Sequence, residues 1–383
     1  MNSINVGIIG CGNVSLSALV PGVLATDGLT LAAVADPTPD RLANVAELAG
    51  LSPDQTFADW TQIVEDPAIN AVIVATPQQF RPEISIAAAN SGKHLLCEKP
   101  LAIAPLDAHR MVDAARLNRV VMATVHNYTY FPVYRALKEI IDNGEIGHIE
   151  TATLNFLSVD DRPGNNAYRP RWRHDARESG GGVLMDMLHA VYLADWLMGN
   201  FSTSVSAFVD RRRDNDGDVE DYALVRYGYP SGQAMINMAW GDGPGGIELM
   251  GTEGRAILIN QDYGTHPFVD PERIFVFSAA GKREVIPSAS FKEGHRLAIA
   301  NFRDALRGEA VPAASGADGA RVLEAVVGAY KAGATGEKVM LPLEPDDPVF
   351  QFGAIGLREL NLPLDSPVRQ RGMFGVGTPA TMR

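Results

Sequence analysis

The sequence predicts two consecutive folds: an α/β domain with a doubly wound parallel sheet over residues 1–125, and an α+β domain with a mostly antiparallel sheet over residues 126–342. Strand and helix patterns alternate through the first part, which is typical of a parallel sheet covered by helices. In the second part, short strand patterns follow one another with turn residues between them, which favours antiparallel pairing. At 383 residues the chain is long for a single hydrophobic core, so two domains are expected.

The composition is that of a globular protein with a net charge of −13, because 46 acidic residues outnumber 33 basic ones. Such a charge disfavours nucleic acid and anionic membrane surfaces as partners. The chain has only Cys11 and Cys97, and such sparse cysteine usage is typical of a reducing compartment. No apolar run is long enough to cross a bilayer, and we expect no leader segment. We therefore expect a cytoplasmic protein with a small-molecule ligand.

The first strand pattern, Ile4 to Ile9, runs into a glycine turn and then into a helix that begins at Ser15. Gly10 and Gly12 free the backbone to turn tightly, and the helix start can bind a pyrophosphate. Ser15 takes the place of the third glycine in G-x-G-x-x-G, where a small residue is enough for packing. An ordinary tight turn is the alternative, but the flanking strands favour a dinucleotide site.

Asp36 closes the second strand pattern, 21 residues after Ser15, near the spacing at which a carboxylate reaches a ribose 2′-hydroxyl. A carboxylate there repels a 2′-phosphate, so NAD is the predicted cofactor and NADP is less favoured. Arg41 is the nearby cation that argues the other way. The cofactor-binding residues predicted in this part of the chain are Gly10, Gly12, Asn13, Val14, Asp36 and Arg41.

Ligands of a doubly wound sheet bind outside the carboxyl ends of its strands. Four residues that directly follow apolar strand patterns are therefore expected at the cofactor: Thr76, Pro77, Glu98 and Lys99. Most lysines are solvated, but Lys99 sits between a glutamate and a proline just past a buried strand, so we favour function. The patterns on which this part rests are the helices Pro39–Gly50, Pro82–Ser91 and Pro105–Leu117 and the strands Ala71–Ala75, His94–Cys97 and Val120–Thr124.

The second part begins with a helix, Pro132–Asn143, and a strand from Thr151 whose residues alternate between apolar and polar. Residues 343–383 contain several prolines and glycines and predict an extended arm that docks on a core or on a neighbouring subunit. Between these, the predicted strands are Ser204–Val209, Tyr222–Tyr229, Gln233–Trp240, Glu248–Gly251, Arg255–Ile259 and Ile274–Phe277, and the predicted helices are Phe291–Leu306 and Asp318–Ala334.

One further helix pattern, Val183–Met198, is apolar on nearly every face and is therefore expected to be buried. Asp186 and His189 interrupt its apolar surface. Buried ionisable groups must be paired or functional, and residues three apart share a helix face, so a coupled carboxylate and imidazole is indicated. A satisfied core histidine is the alternative, and the three preceding glycines, which allow a ligand to approach closely, favour function.

With these motifs, the chain resembles the glucose-fructose oxidoreductase, inositol dehydrogenase and rhizopine catabolism family of nicotinamide-dependent sugar and polyol oxidoreductases. The resemblance runs from about Ile4 to Pro342 and rests on GCGNVS with Asp36, on HLLCEKP, on NYTYFPVYRALKEIIDNGEIG and on WRHDARESGGGVLMDMLH. It implies an N-terminal Rossmann domain, an open antiparallel sheet in the C-terminal domain, and a nicotinamide ring between Lys99 and the Asp186–His189 helix. It also implies dimers or tetramers formed through the open sheet.

Three positions depart from the family pattern. Arg81 stands where the family often has His, and Thr129 stands where it often has Arg. Asp186 precedes His189 by three residues, where four is commoner, which leaves the identity of the general base open.

The sequence thus predicts an NAD-dependent dehydrogenase that moves a hydride between nicotinamide and a secondary alcohol of a sugar, glycoside or cyclic polyol. His189 is expected to be the general base, Asp186 to orient it or to bind a neighbouring hydroxyl, and Lys99 to donate to the reacting oxygen. Two alternatives stay open: an enzyme that uses bound NAD transiently to cleave a glycosidic bond, and a non-catalytic sugar sensor on the same fold. No metal site is predicted. Further substrate contacts are expected from Tyr128, Tyr168 and Arg173.

Overall fold

The computed structural model describes residues 3–159, 171–213, 217–241, 243–259, 273–287 and 293–377. Their contacts divide the chain into two compact units. The first unit contains residues 3–102, 106–127 and 293–320. The second contains residues 103–105, the described residues between 128 and 287, and residues 321–377.

The first unit is built on a six-stranded sheet with the strand order β3-β2-β1-β4-β5-β6. All of its strand pairs are parallel, which confirms the predicted doubly wound architecture. The strand order reverses between β1 and β4, the switch point at which such sheets bind ligands. The strands are β1 (Ile4–Ile9), β2 (Leu29–Ala35), β3 (Thr56–Phe57), β4 (Ala71–Val74), β5 (His94–Cys97) and β6 (Met122–Thr124).

Helices follow most of these strands, as the alternating pattern predicts. All four residues of β4 are buried, which explains its continuous apolar run. Gly50 ends the second helix with a left-handed φ of 65°. The helices are α1 (Val20–Leu24), α2 (Pro39–Ala49), α3 (Thr61–Glu65), α4 (Arg81–Asn90) and α5 (Pro105–Leu117), with single 3₁₀ turns at Pro53–Gln55, Gln78–Phe80 and Asn127–Tyr130.

The second unit is built on a nine-stranded sheet with the order β14-β13-β12-β11-β7-β10-β9-β8-β15. Its strand pairs are antiparallel except for β7 with β10, so the prediction of a mostly antiparallel sheet is confirmed. The strands are β7 (Ile149–Val159), β8 (Ser204–Asp210), β9 (Tyr222–Tyr229), β10 (Gly232–Trp240), β11 (Gly245–Gly251), β12 (Gly254–Ile259), β13 (Arg273–Ser278), β14 (Gly281–Val285) and β15 (Val339–Met340).

The prediction of one continuous helix from Val183 to Met198 is wrong. The helix is interrupted at Met187, whose φ of −96° and ψ of 25° are not helical. The first turn of this segment is hydrogen-bonded to residues distant in sequence, Glu220 and Tyr330, so its position is set independently of the helix that follows. The helices here are α6 (Pro132–Asp142), α7 (Ala176–Ser179), α8 (Val183–Asp186) and α9 (Leu188–Met198), with a 3₁₀ turn at Arg171–His174.

A helix that follows β14 in sequence belongs to the first unit. This helix, α10 (Gly294–Leu306), places Ile299 and Phe302 in the hydrophobic cluster that contains Val6 and Ile8 of β1. Gly22 of α1 makes room for it, because a Cβ there would lie 2.6 Å from Ile299 Cδ1. Helix α11 (Gly316–Thr335) comes next.

The C-terminal segment, residues 343–377, consists of short helical turns rather than the extended arm that its composition predicts. It packs on the rest of the second unit, where the ring of Phe374 lies 4.8 Å from the ring of Tyr330. Of all the helices in the described part of the chain, none has the length and apolar character needed to span a membrane. The turns of the segment are α12 (Pro348–Phe352), a 3₁₀ stretch at Gly353–Glu359, α13 (Pro367–Arg371) and Met373–Gly375.

Candidate active site

The glycine turn of the first unit packs against the end of β4 and leaves room above the following helix. Gly10 has a φ of 100°, and a Cβ there would lie 2.7 Å from the carbonyl carbon of Ala75. Ser15 fills the place of a third glycine and donates from Oγ to the carbonyl of Gly10 at 2.5 Å. At Gly12, no described atom lies within 4 Å of an added Cβ. The turn is thus tight on one side and open on the other, as close approach of a pyrophosphate requires.

Helical backbone begins at Asn13 and continues to Leu24, with a π-helical turn at Ser15–Leu19. Such turns are rare and occur often at functional sites. Asn13 is exposed and Val14 is half-buried at the start of this helix. Both predicted residues therefore lie beside the open side of the glycine turn.

The carboxylate of Asp36 is buried at the glycine turn. Its Oδ2 accepts from the backbone N–H of Cys11 and its Oδ1 accepts from that of Thr38, both at 2.8 Å. Each carboxylate oxygen can still accept another hydrogen bond. Burial and the charge of Asp36 raise the pKa of the Cys11 thiol to about 12, so this cysteine is not a reactive thiolate. Arg41 is exposed on α2.

At the carboxyl ends of β4 and β5, buried Arg81 binds the backbone of two loops. Its Nε donates to the carbonyl of Thr76 at 2.8 Å. Its Nη1 donates to the carbonyl of Glu98 at 2.9 Å and to that of Pro100. Burial lowers the pKa of Arg81 to about 10, so the guanidinium keeps its charge at neutral pH. The Lys99 loop, residues 98–100, is therefore held on both sides of Lys99.

Several buried oxygens at this edge have no hydrogen-bond partner in the part of the chain that the structure describes. Thr76, which precedes Pro77, has a buried Oγ1 without a hydrogen-bond partner among the described residues, and the same holds for Glu98 Oε1 and Asn127 Oδ1. Glu98 Oε2 accepts from the backbone N–H of Lys99 at 3.1 Å. Buried polar atoms without partners are costly in a folded protein, so oxygens of this kind fit a ligand that carries hydroxyl groups.

Two histidines of the first unit, which the sequence motifs do not single out, also lie near Lys99. Burial, reinforced by the charge of Lys99, lowers the pKa of His126 to about 3. His295 of α10 lies with its Nε2 3.7 Å from Glu98 Oε1, and burial lowers its pKa as well. Asn127 contacts His295 through Nδ2 at 3.2 Å. At neutral pH both imidazoles are therefore uncharged, and Lys99 is the cation among them.

In the second unit, His189 is a buried residue of α9 that stacks on Tyr128. Their ring centroids are 4.4 Å apart and their planes differ by 12°. The Tyr128 hydroxyl donates to Met187 Sδ at 3.9 Å, at the break between α8 and α9. Burial and the nearby charge of Asp186 raise the pKa of Tyr128, so its hydroxyl stays protonated. The ring of Tyr128 thus fixes the plane of the His189 imidazole.

Asp186, the last residue of α8, accepts two hydrogen bonds on Oδ2. Arg173 Nη2 donates at 2.5 Å and Trp240 Nε1 donates at 3.3 Å. The side chains of Arg173 and Asp186 are 14% and 20% exposed, so this ion pair is accessible from solvent. The pairing of Asp186 with His189 stays a prediction. Tyr168, the remaining predicted substrate contact, lies outside the described residues.

Comparison with protein families matches both parts of the chain. Residues 4–126 match the model described as "Oxidoreductase family, NAD-binding Rossmann fold", and residues 138–341 match "Oxidoreductase family, C-terminal alpha/beta domain". The chain belongs to the Gfo/Idh/MocA oxidoreductase family. The resemblance inferred from the motifs is confirmed.

Among proteins similar to this Gfo/Idh/MocA member is 1,5-anhydro-D-fructose reductase of Ensifer adhaerens, 29% identical over 86% of this chain and 96% of the relative. Myo-inositol 2-dehydrogenase of Thermotoga maritima is 31% identical over 59% of this chain, and the match spans 65% of that protein. Levoglucosan dehydrogenase in complex with NADH superposes with a TM-score of 0.77 at 25% identity, covering 90% of this chain and all of the other.

The first unit of this Gfo/Idh/MocA protein is an NAD-binding Rossmann domain, and its own residues fit that cofactor. The open side of Gly12 leaves room for a pyrophosphate. The fixed carboxylate of Asp36 and the buried oxygens of Thr76, Glu98 and Asn127 offer acceptors for hydroxyl groups such as those of ribose.

Arg81 and Thr129, the two residues that differ from the family pattern, both make hydrogen bonds within this Gfo/Idh/MocA chain. Arg81 is bound to three carbonyl groups, as described above. Thr129 is buried, and its carbonyl accepts from Arg135 Nε at 3.3 Å. Sequence motifs missed His126 although it follows β6, so the strand-end rule that selected Thr76 and Lys99 would have found it. No comparable signal marks His295 or Trp240.

Proposed function

We propose that this protein is an NAD-dependent dehydrogenase that transfers a hydride between nicotinamide and a secondary alcohol of a sugar, glycoside or cyclic polyol. The observation that carries the proposal is the Lys99 loop, whose carbonyl groups on both sides of Lys99 are bound by Arg81. A cation held this firmly beside neutral imidazoles is suited to donate to an oxygen on which negative charge develops. Membership of an oxidoreductase family supplies the reaction class.

When bound, NAD supplies the hydride acceptor, so the protein has to orient the CH–OH carbon and accept the hydroxyl proton. We assign the proton to His189, because imidazole is the side chain whose ordinary pKa lies nearest to neutral pH. Asp186 orients this base or binds a neighbouring hydroxyl. Lys99 donates a hydrogen bond to the oxygen that loses the proton.

The proposed substrate class follows from the relatives and from Asp186. The relatives are named for an anhydrosugar derivative and a cyclic polyol. Such rings carry adjacent hydroxyl groups, and the Asp186–Arg173 pair offers an acceptor and a donor for them. Tyr128 and Tyr168 remain proposed contacts. Because these relatives are named as a reductase and a dehydrogenase, neither glycoside cleavage nor sugar sensing is favoured.

We also propose that NAD is preferred over NADP. Both oxygens of Asp36 are held in place by backbone N–H groups, so a 2′-phosphate would meet a fixed negative charge. The exposed Arg41 has the freedom to turn away.

Production of reduced nicotinamide, followed by absorbance, tests the proposal. The purified protein is mixed with a panel of polyols, free sugars and glycosides, with NAD and NADP in parallel. We expect NADH to form with at least one ring polyol or sugar, and a higher kcat/KM with NAD than with NADP. Failure of the whole panel to reduce either cofactor, or cleavage of a glycoside without net NADH, would contradict the proposal.

We further propose that the protein acts in the cytoplasm as a homo-oligomer. Cys11 and Cys97 are buried and unbridged, which suits a reducing compartment. Sedimentation velocity should show a dimer or tetramer, and a monomer at micromolar concentration would refute the oligomer.

A further inference from the structure

The start of α8, which carries Asp186, is bound by residues distant in sequence. Gly182 N donates to Glu220 Oε2 at 2.8 Å, and Leu184 N donates to Glu220 Oε1 at 2.9 Å. Val183 N donates to the carbonyl of the same glutamate at 3.2 Å. The first N–H groups of a helix have no partner within the helix and usually bind a local cap or water. Here one buried residue takes three of them.

Tyr330 of α11 takes the next N–H group. Its hydroxyl accepts from Met185 N at 3.1 Å and donates to Glu220 Oε1 at 2.9 Å. Tyr330 and Glu220 are fully buried. Since these two residues bind four successive N–H groups, they determine where α8 lies and hence where Asp186 is presented.

A second turn of glycines, the Gly180–Gly182 turn, precedes α8 and packs on Glu220 and Tyr330. A Cβ at Gly182 would lie 1.7 Å from the carbonyl oxygen of Glu220, and a Cβ at Gly181 would lie 2.0 Å from the Tyr330 hydroxyl. The three glycines thus permit the backbone itself to pack on Glu220 and Tyr330. A displacement of either side chain would be transmitted directly to α8.

The C-terminal segment lies behind Tyr330. Phe374 is fully buried with its ring against the ring of Tyr330, and it adopts a left-handed backbone with a φ of 54°. A bulky residue in this conformation is strained, and such strain persists only where surrounding contacts hold it. Here Phe374 N donates to the carbonyl of Asp218 at 2.6 Å, and its carbonyl accepts from Arg358 Nε at 2.9 Å.

The C-terminal segment also contacts Ile103, which packs on the Gly180–Gly182 turn. A Cβ at Gly353 would lie 2.4 Å from the carbonyl oxygen of Ile103, so the segment packs directly on this residue. Ile103 Cγ2 in turn lies 3.3 Å from the position of a Cβ at Gly180. The segment therefore contacts two residues that pack on the turn, Ile103 beside Gly180 and Tyr330 beside Gly181.

We propose that the C-terminal segment is a positioning element for Asp186, acting through Phe374 and Tyr330 on the start of α8. The segment lies outside the residues that the family models match, which end at residue 341. The proposal rests on the proposed function, because it takes Asp186 as a residue of the substrate site. Phe374, Tyr330 and Glu220 are positioning residues, which hold the backbone of α8 and bind no substrate themselves.

The test compares two buried tyrosines of the second unit that each lose only a hydroxyl group. Tyr330→Phe removes the contacts to Glu220 and Met185, whereas Tyr227→Phe removes a hydrogen bond to the carbonyl of Ala325 on α11. Phe374→Leu tests the C-terminal segment itself. Each variant is measured for kcat, for KM with the best substrate of the panel, for NADH binding by fluorescence, and for melting temperature.

We expect Tyr330→Phe and Phe374→Leu to lower kcat by roughly ten- to a hundredfold, the size of effect that a small misplacement of a site residue produces. NADH affinity should stay within a factor of about two, because the predicted cofactor residues belong to the first unit. Tyr227→Phe should keep kcat. Equal losses of kcat in both tyrosine variants, or none in either, would overturn the proposal.

Hydrogen exchange of residues 182–186, followed by mass spectrometry, is a readout that does not depend on activity. Exchange should be faster in Tyr330→Phe and Phe374→Leu than in the unmodified protein, and unchanged in Tyr227→Phe. Unchanged exchange in both of the first two variants overturns the positioning role even if the enzyme is active. Absence of turnover in the unmodified protein would refute the proposed function instead, and the exchange rates would still decide whether the segment holds α8.

Discussion

The Lys99 loop in the first unit and the start of α8 in the second unit are held by buried charges of opposite sign. Arg81 donates to the carbonyl groups of Thr76, Glu98 and Pro100. Glu220 accepts from the N–H groups of Gly182 and Leu184 and from the Tyr330 hydroxyl. Loops after parallel strands present carbonyl groups and helix starts present N–H groups, so the polarity of the backbone decides which charge can hold it.

The two charges differ in their response to pH. Burial lowers the pKa of Arg81 to about 10, so the guanidinium remains charged throughout the neutral range. Burial raises the pKa of Glu220 to about 7, although hydrogen bonds from Leu184, Gly182 and Tyr330 favour its ionised form. The Lys99 loop therefore keeps its support as pH changes, whereas the support of α8 titrates near neutral pH.

The largest effects on kcat are expected for the two residues proposed to act on the reacting oxygen and its proton, Lys99 and His189. Lys99→Ala and His189→Ala should each lower kcat by roughly a hundredfold to ten-thousandfold, because each removes a group proposed to act on the reacting oxygen or its proton. His189→Ala should keep the fold and NADH binding, and Lys99→Ala should be at least as damaging to turnover. Steady-state kinetics over a range of pH, repeated with Glu220→Gln in both proteins so that Glu220 does not contribute, should also show that His189→Ala lacks the neutral-range ionisation.

A buried lysine of the first unit provides the control for Lys99→Ala. Lys93 donates from Nζ to the carbonyl groups of Asp66 and Ile69, at 2.5 Å and 2.8 Å. Lys93→Met should lower the melting temperature and leave kcat of the folded enzyme near normal. If His189→Ala keeps near-normal turnover with its ionisation intact, another residue is the base.

The next largest effect concerns the support of the Lys99 loop. Arg81→Met should lower the free energy of unfolding by about 3 kcal/mol, because removal of a buried, hydrogen-bonded charge leaves buried carbonyl groups unsatisfied. Turnover should fall as well, since the loop loses its fixed position. Urea unfolding and steady-state kinetics measure the two effects.

Arg81→Lys sharpens this test, since it keeps the charge but lacks the planar fork that reaches both loops. It should restore little of the lost turnover. Full activity in Arg81→Lys would mean that the charge, and not the hydrogen-bond geometry, holds the Lys99 loop.

The stability that Glu220 contributes should depend on pH in the opposite sense from that of a carboxylate in an ion pair. In the folded protein its pKa is about 7, above the ordinary value of 4.5, so the folded state binds the proton of Glu220 more tightly than the unfolded state does. The contribution of Glu220 to the free energy of unfolding is therefore largest below about pH 4.5 and is lost as pH rises towards 7. The loss across the whole window amounts to about 3 kcal/mol. The free energy of unfolding of Glu220→Gln should lack this decline, as measured by urea unfolding between about pH 5 and pH 8.

Two other groups define the control for this measurement. Burial lowers the pKa of His126 from 6.5 to about 3, so His126 stabilises the folded state at neutral pH and this contribution is lost as pH falls through that range. It acts in both proteins and cancels in the difference. Glu139→Gln, on an exposed position of α6, should leave the pH dependence unchanged. Parallel curves for Glu220→Gln and the unmodified protein would refute the titration of Glu220.

The smallest effect is expected at Asp36, a carboxylate of the first unit that also accepts backbone N–H groups. Unlike Glu220, it lies beside the open side of the glycine turn, where a ligand can add to its bonds. Asp36→Ala should reduce the ratio of kcat/KM for NAD to that for NADP by about tenfold. Asp40→Ala, an exposed carboxylate on α2, should leave the ratio unchanged. Equal efficiency with both cofactors before mutation would contradict the assignment.

Local patterns predicted most of the fold because strand and helix periodicity survive in the sequence. The predicted bounds of β5 and α5 match the structure, and Gly50 ends α2 as expected. The break at Met187 could not be predicted in the same way. The groups that hold α8 come from Glu220 and Tyr330, 38 and 145 residues away from the N–H groups they bind.

In the candidate site too, some residues could be predicted from local patterns and others are placed by long-range contacts. Lys99 and Thr76 were predictable, because residues at strand ends follow from the strand pattern alone. His295 was not, since it reaches Glu98 from α10, which follows β14 in sequence. The C-terminal segment lacks periodic apolar residues, so composition predicted an extended arm where tertiary contacts form short helices.

In the proposed reaction a secondary alcohol transfers its carbon-bound hydrogen directly to bound NAD, while Lys99 binds the reacting oxygen and His189 accepts its proton. The most direct test uses the best substrate of the panel with deuterium at its CH–OH carbons, with mass spectrometry of the reduced cofactor and the sugar product. We expect NADH carrying one deuterium and an equal amount of keto product. Reduced cofactor without deuterium, or a cleaved glycoside without net reduced cofactor, would contradict it.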